Sequence, residues 1–130
     1  MGVIAAILES GELERLSTGL SLLVSAAADG EEARALVTFG ALGPLLADDL
    51  AARAREPEAA PAVVNREAFA QTLAALRETA AELPGLRMWA CAGALEATGI
   101  DRALAEARLD GVMSTPRFLR EVAGARLVVV

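Results

Sequence analysis

Cys91 is the only cysteine in the chain. It lies in Leu86-Arg87-Met88-Trp89-Ala90-Cys91-Ala92-Gly93-Ala94-Leu95-Glu96-Ala97-Thr98-Gly99-Ile100. This stretch begins as a short apolar run, which predicts a buried strand, and ends as a short helical segment closed by Gly99. The thiol therefore falls where a strand hands over to a helix. Strand carboxyl ends and helix amino ends meet at such junctions, and ligands and reactive groups collect there in open α/β sheets. The small residues Ala92, Gly93 and Ala94 leave backbone N–H groups free to point towards the sulfur. A helix amino end stabilises a thiolate and can draw a thiol from about 8.5 into the range of roughly 3.5–7.5. No lysine or histidine is present to assist, so the helix end or an arginine supplied by the fold must do so. The competing reading is a packing role, because free cysteine is among the most buried residue types.

Other polar residues carry less. Glu9, Glu12, Glu14, Asp48 and Asp49 offer carboxylates for acid–base work, but solvated helix faces and first turns account for them better. Asp29-Gly30-Glu31-Glu32 reads as a charged turn. Trp89 reads as core, and Met88 and Met113 as gap-fillers. Without histidine or lysine there is no His-based triad, no His metal site and no Schiff-base lysine. No Gly-x-Gly-x-x-Gly follows the first apolar run, no phosphate loop is present, and a lone cysteine cannot form a CxxC pair. No metal or organic cofactor is expected. The residues expected around a pocket at the sheet's carboxyl edge are Gly40, Ala92, Gly93 and Ser114, beside Cys91 as the candidate catalytic residue.

The elements that must position these residues alternate. Val3 to Leu8 reads as a first strand, and Ser10 is placed to cap a helix over residues 11–28 that carries Leu13, Leu16, Leu20, Leu23 and Ala27 at helical spacing. Ala33 to Phe39 reads as a second strand broken by Gly40, and residues 41–55 as one helix. Glu56 to Pro61, with two prolines, is the clear loop. Asn65 caps a helix with Phe69, Leu73, Leu76, Ala80 and Leu83 on one stripe, stopped at Pro84-Gly85. Leu86 to Ala90 is the third strand. Asp101 is placed to cap a further helical turn, and Leu109 to Met113 reads as a weak fourth strand. Thr115 is read as the cap of a helix opened by Pro116, and residues 126–130 as a last strand. Such alternation predicts a three-layer α/β/α fold with a mostly parallel five-stranded sheet, in a single domain over residues 1–130.

Composition sets the remaining bounds. With 55% hydrophobic but only 3% aromatic residues, the core must be aliphatic. A net charge of -6 with no basic run argues against nucleic-acid binding. One cysteine excludes an internal disulfide and points to a reducing, cytoplasmic setting. The apolar start of the chain lacks a basic flank and meets Glu9 at once, so it reads as a strand and not a signal peptide. The longest uncharged runs are too short for a membrane span. Alanine and leucine in excess over surface charge predict exposed apolar area and a homo-oligomer.

The chain resembles the DsrE/DsrF-like family of small sulfur-relay proteins. The likeness rests on Ser10 to Leu16 with the apolar helix after it, on Ala35-Leu36-Val37-Thr38-Phe39-Gly40-Ala41-Leu42, and above all on Met88 to Ile100. Thr115 to Ala125 also fits the family's last helix. The resemblance implies a three-layer fold, trimers or hexamers, and a persulfide carried on Cys91 between donor and acceptor proteins, in the manner of a sulfurtransferase. The chain departs from that pattern in having no second cysteine to receive sulfur. Two other functions remain open: a non-catalytic oligomeric module in which Cys91 only packs, and small-ligand binding at the carboxyl edge.

Overall fold

A computed structural model of the chain describes residues 2–130. Val3–Leu8 forms β1, Leu13–Ala28 α1 and Glu32–Val37 β2. A 3-10 turn over Phe39–Ala41 leads into α2 (Leu42–Leu46), followed by α3 (Leu50–Arg55), a second 3-10 turn and α4 (Arg66–Glu82). Leu86–Cys91 is β3, Ala92–Thr98 α5, Arg102–Arg108 α6 and Val112–Met113 β4. Thr115–Glu121 is α7 and Arg126–Val129 is β5. Met1, part of the first apolar run, lies outside the described residues.

The five strands form one sheet in the order β4-β3-β2-β1-β5, and every pairing is parallel. This is the expected α/β/α architecture, but its two helical layers are unequal. From β1 to β4 the chain advances in one direction, so right-handed crossovers put all those helices on one face. Gly19 of α1 approaches Leu8 and Val130 on that face. Residues of α4 and α6 meet Met88 on it too, since Ala35 and Met88 are register partners beside Ala6. Only the return from β4 to β5 crosses back, and its one helix is α7. Phe118 of α7 is wholly buried and meets Trp89 edge-to-face, with centroids 6.3 Å apart. The central strands carry Ala5, Ala6, Ala33 and Ala35, none of them exposed. Small side chains there bring the layers close and leave the leucines of α1, α2 and α3 to fill the core.

Several local expectations need correction. The helix expected over 41–55 is broken between Leu46 and Leu50. The Arg77 guanidinium takes the carbonyl oxygens of Leu45 and Ala47 at 3.2 and 2.5 Å, which satisfies the groups a continuing helix would have bonded. The fourth strand is shorter than expected, because the Asp110 carboxylate accepts the Met88 N–H at 2.8 Å in place of a ladder carbonyl. The second strand stops at Val37, two residues early, since Phe39 turns to φ 39. Ser10 does not cap α1: the cap position is Glu12, and the Ser10 hydroxyl accepts the Glu12 N–H at 3.1 Å. The cap of α7 is Ser114, not Thr115, through the Arg117 N–H at 3.4 Å. Asn65 and Asp101 cap as expected, and Gly99 ends α5 in the left-handed region at φ 72. No helix among the described residues is long and apolar enough to cross a membrane.

The loops after β1 and β2 touch backbone to backbone at Gly11 and Gly40. A Cβ on Gly40 would lie 2.8 Å from the Gly11 nitrogen and 3.0 Å from the Glu9 oxygen. Gly40→Ala is therefore expected to cost about 1–3 kcal/mol in urea unfolding. Gly43→Ala, where an added Cβ meets nothing within 4 Å, is expected to be neutral or to stabilise by up to about 1 kcal/mol. Equal losses in both variants would contradict the close approach.

Candidate functional site

A parallel sheet brings all strand carboxyl ends to one edge, and Cys91 sits on that edge. It ends β3 and is the cap position of α5, with φ -69 and ψ 121. Cys91 pairs with Met113 in register and lies on the Trp89 face, the one that α7 covers. Because Ser114 takes over the capping of α7, the Thr115 hydroxyl is free, and it stands 3.8 Å from the Cys91 sulfur. Among the described residues this is the one side-chain hydrogen-bond contact of the sulfur, and no N–H of α5 caps onto it. Thr38, one residue beyond β2, and the Ala94 and Gly93 N–H groups add a favourable influence on its charged form.

The residue as a whole is buried, at 7% exposure, but its neighbours are not a sealed aliphatic shell. Thr115, Gly93 and Phe39 are all exposed. Burial is the largest single influence on the thiol and raises its pKa. The Ala94 N–H, the Thr115 and Thr38 hydroxyls and the Gly93 N–H act against it, and together they win, so the thiol lies below its ordinary value. Donors aimed at an anion favour the charged form, which is the physical cause of the net shift. No arginine contributes, which removes one of the two sources of help that the sequence left open.

The residues expected around a pocket have different tasks. Ala92 and Gly93 open α5, directly after the thiol. Gly40 lies two residues past Thr38 in the turn that packs on α5. Ser114 is committed to capping α7. None of the four lines the cleft described below between α4 and α6. Thr38 and Thr115 were not singled out as site residues. Each closely follows a short apolar run, Leu36-Val37 and Val112-Met113, and a hydroxyl at that position was the available signal.

Phe39 marks the same edge by strain. It is an aromatic residue at positive φ, 52% exposed, a conformation that costs of order 1–3 kcal/mol and persists only where its surroundings impose it. The Gly11–Gly40 contact imposes it here, and the Ala41 N–H bonds back to Glu9 and Thr38. The acidic candidates do not converge. Asp48 and Asp49 pair with Arg108 and Arg53, and among the described residues no group of three potential metal ligands forms. The chain matches no protein-family model and no curated protein.

Thr115→Val and Thr38→Val each remove one donor to the thiolate. Both are expected to move the pH midpoint of iodoacetamide alkylation upward and to slow alkylation at neutral pH. The native thiol value is the lower one, so its contribution to stability is fully present above the ordinary thiol value. That contribution fades as pH falls through the native one. Unchanged midpoints in both variants would show that the hydroxyls do not act on the sulfur.

Proposed function

We propose that the protein is a thiol-based carrier of sulfane sulfur, with Cys91 as the carrying residue. The observation that supports this reading is the place of Cys91 at the carboxyl end of β3, with the Thr115 hydroxyl 3.8 Å from its sulfur and its thiol drawn below the ordinary value despite burial. The thiolate is the nucleophile in sulfur exchange. Cys91 thiolate attacks the outer sulfur of a donor persulfide. A new S–S bond forms on Cys91, the donor's S–S bond breaks, and the donor leaves as a thiolate. An acceptor thiolate then attacks the outer sulfur on Cys91, and Cys91 leaves as the thiolate it began as. The cycle is redox-neutral, uses no cofactor, and leaves Cys91 as the same thiolate at its start and end. It fits the likeness of Met88 to Ile100 to the DsrE/DsrF-like sulfur-relay proteins. It also requires a reducing compartment, so a cytoplasmic setting belongs to the same proposal.

The proposal includes self-association, as a trimer or hexamer. Among the described residues α7 is the one helix on its face of the sheet, and Leu119 on α7 is 49% exposed, with Leu127 and Val129 on the edge strand β5 at 45% and 62%. Large apolar side chains left exposed favour a partner surface. The 7% exposure of Cys91 favours a second reading, in which the chain is a non-catalytic oligomeric module and the cysteine packs. Rapid alkylation of the native protein supports the carrier. Slow native alkylation that becomes fast on unfolding supports the module.

Incubation with a persulfide donor carrying radiolabelled sulfane sulfur is expected to label the wild-type chain and to leave Cys91→Ser unlabelled. Labelling of Cys91→Ser at the wild-type level would remove the carrier role. Light scattering at micromolar concentration is expected to return a multiple of the 13.4 kDa chain, and a monomer mass would refute self-association.

A further inference from the structure

A cleft of about 380 Å3 lies between α4 and α6, on the face of the sheet opposite Cys91. Its volume is that of a small-molecule site, with room for roughly a dozen water-sized groups. Ala81, Met88 and Leu109 give it apolar surface, and Arg77, Glu78 and Arg108 its polar groups. Arg77 is the unusual member. It is half-buried, and its Nη1 donates to two backbone carbonyls. Among the described residues, no carboxylate lies within ion-pair distance of it. Carbonyl dipoles orient the guanidinium without cancelling its charge. Burial draws it below its ordinary range, and the charge of neighbouring Glu78 opposes that shift. Arg108, in the last turn of α6, pairs with Asp48, whose side chain is 87% exposed. Exposed pairs of this kind are weak and exchange readily.

We propose that this cleft binds a small monocarboxylate with a short hydrocarbon tail. The two arginines take the carboxylate, and Ala81, Met88 and Leu109 take the tail. A guanidinium presents a planar fork of donors that matches a carboxylate. The lining side chains carry two positive charges and one negative, an excess that one carboxylate neutralises once Asp48 has left Arg108. A phosphate dianion would overshoot it beside Glu78. Arg108 exchanges Asp48 for the ligand, so Asp48 acts as a built-in competitor. The inference does not rest on the thiol, which lies across the sheet.

The test titrates the 130-residue chain with phenylacetate and follows the Met88 methyl resonance. Phenylacetamide serves as the uncharged isostere and inorganic phosphate as the alternative anion. A saturable shift at millimolar phenylacetate is expected, with the amide weaker by roughly tenfold or more. Arg77 also ties down the break between α2 and α3, so its replacement risks the fold, and two surface variants carry the test instead. R108Q is expected to weaken phenylacetate by roughly tenfold, and D48N to tighten it by removing the competitor. No movement of Met88, equal binding of the amide, a preference for phosphate, or an affinity unchanged in both variants would overturn the proposal.

Discussion

Parallel pairing in register is the constraint on which the rest of this structure depends. Antiparallel strands scatter their carboxyl ends over two edges, whereas parallel strands deliver them all to one. Here β2 ends next to Thr38, β3 ends at Cys91 and β4 ends just before Ser114 and Thr115. Three segments distant in sequence thus place polar groups within reach of one sulfur. Register matters as much as direction, because a slip of one residue would turn Cys91 to the face of α4 and α6. The pairs Leu36 with Trp89 and Cys91 with Met113 hold it on the side of α7.

The strand order produces a second consequence. Since β1 to β4 advance in one direction, one face receives most of the helices and is filled by leucine and alanine. Among the described residues, the other face receives α7 alone. That helix performs two tasks: Phe118 closes the core over Trp89, and Thr115 at its start supplies a hydroxyl to the thiol. The thin layer is therefore both where the reactive group lies near the surface and where apolar side chains remain uncovered. Burial and polar neighbours act in opposite directions on the same sulfur atom, and the balance draws the thiol below its ordinary value.

Much of the framework was legible in the chain. Apolar runs located the strands, and the caps Asn65 and Asp101 and the stop at Gly99 follow from local chemistry. What was not legible depends on residues far apart in sequence. Nothing near residue 47 announces that Arg77 will take its carbonyl and break the helix. Nothing in Asp110 alone says that its carboxylate will replace a strand partner for Met88. The choice between Ser114 and Thr115 as cap is a local competition between adjacent hydroxyls. Only the fold, by bringing Cys91 alongside, shows what the losing hydroxyl does. Cys91 stood out as the single thiol at a strand-to-helix junction, while Thr38 and Thr115 gained meaning only from the sheet order.

The absence of tyrosine makes the ionisation of Cys91 directly observable, because no phenolate overlaps the ultraviolet absorption of the thiolate. Titrating that absorption in the native chain and in the urea-unfolded chain tests most directly whether the polar neighbours of the sulfur outweigh its burial. The native midpoint is expected to lie below the unfolded one. A native midpoint equal to or above it would mean that burial governs the sulfur, and that the hydroxyls and N–H groups around it do not make it a thiolate site.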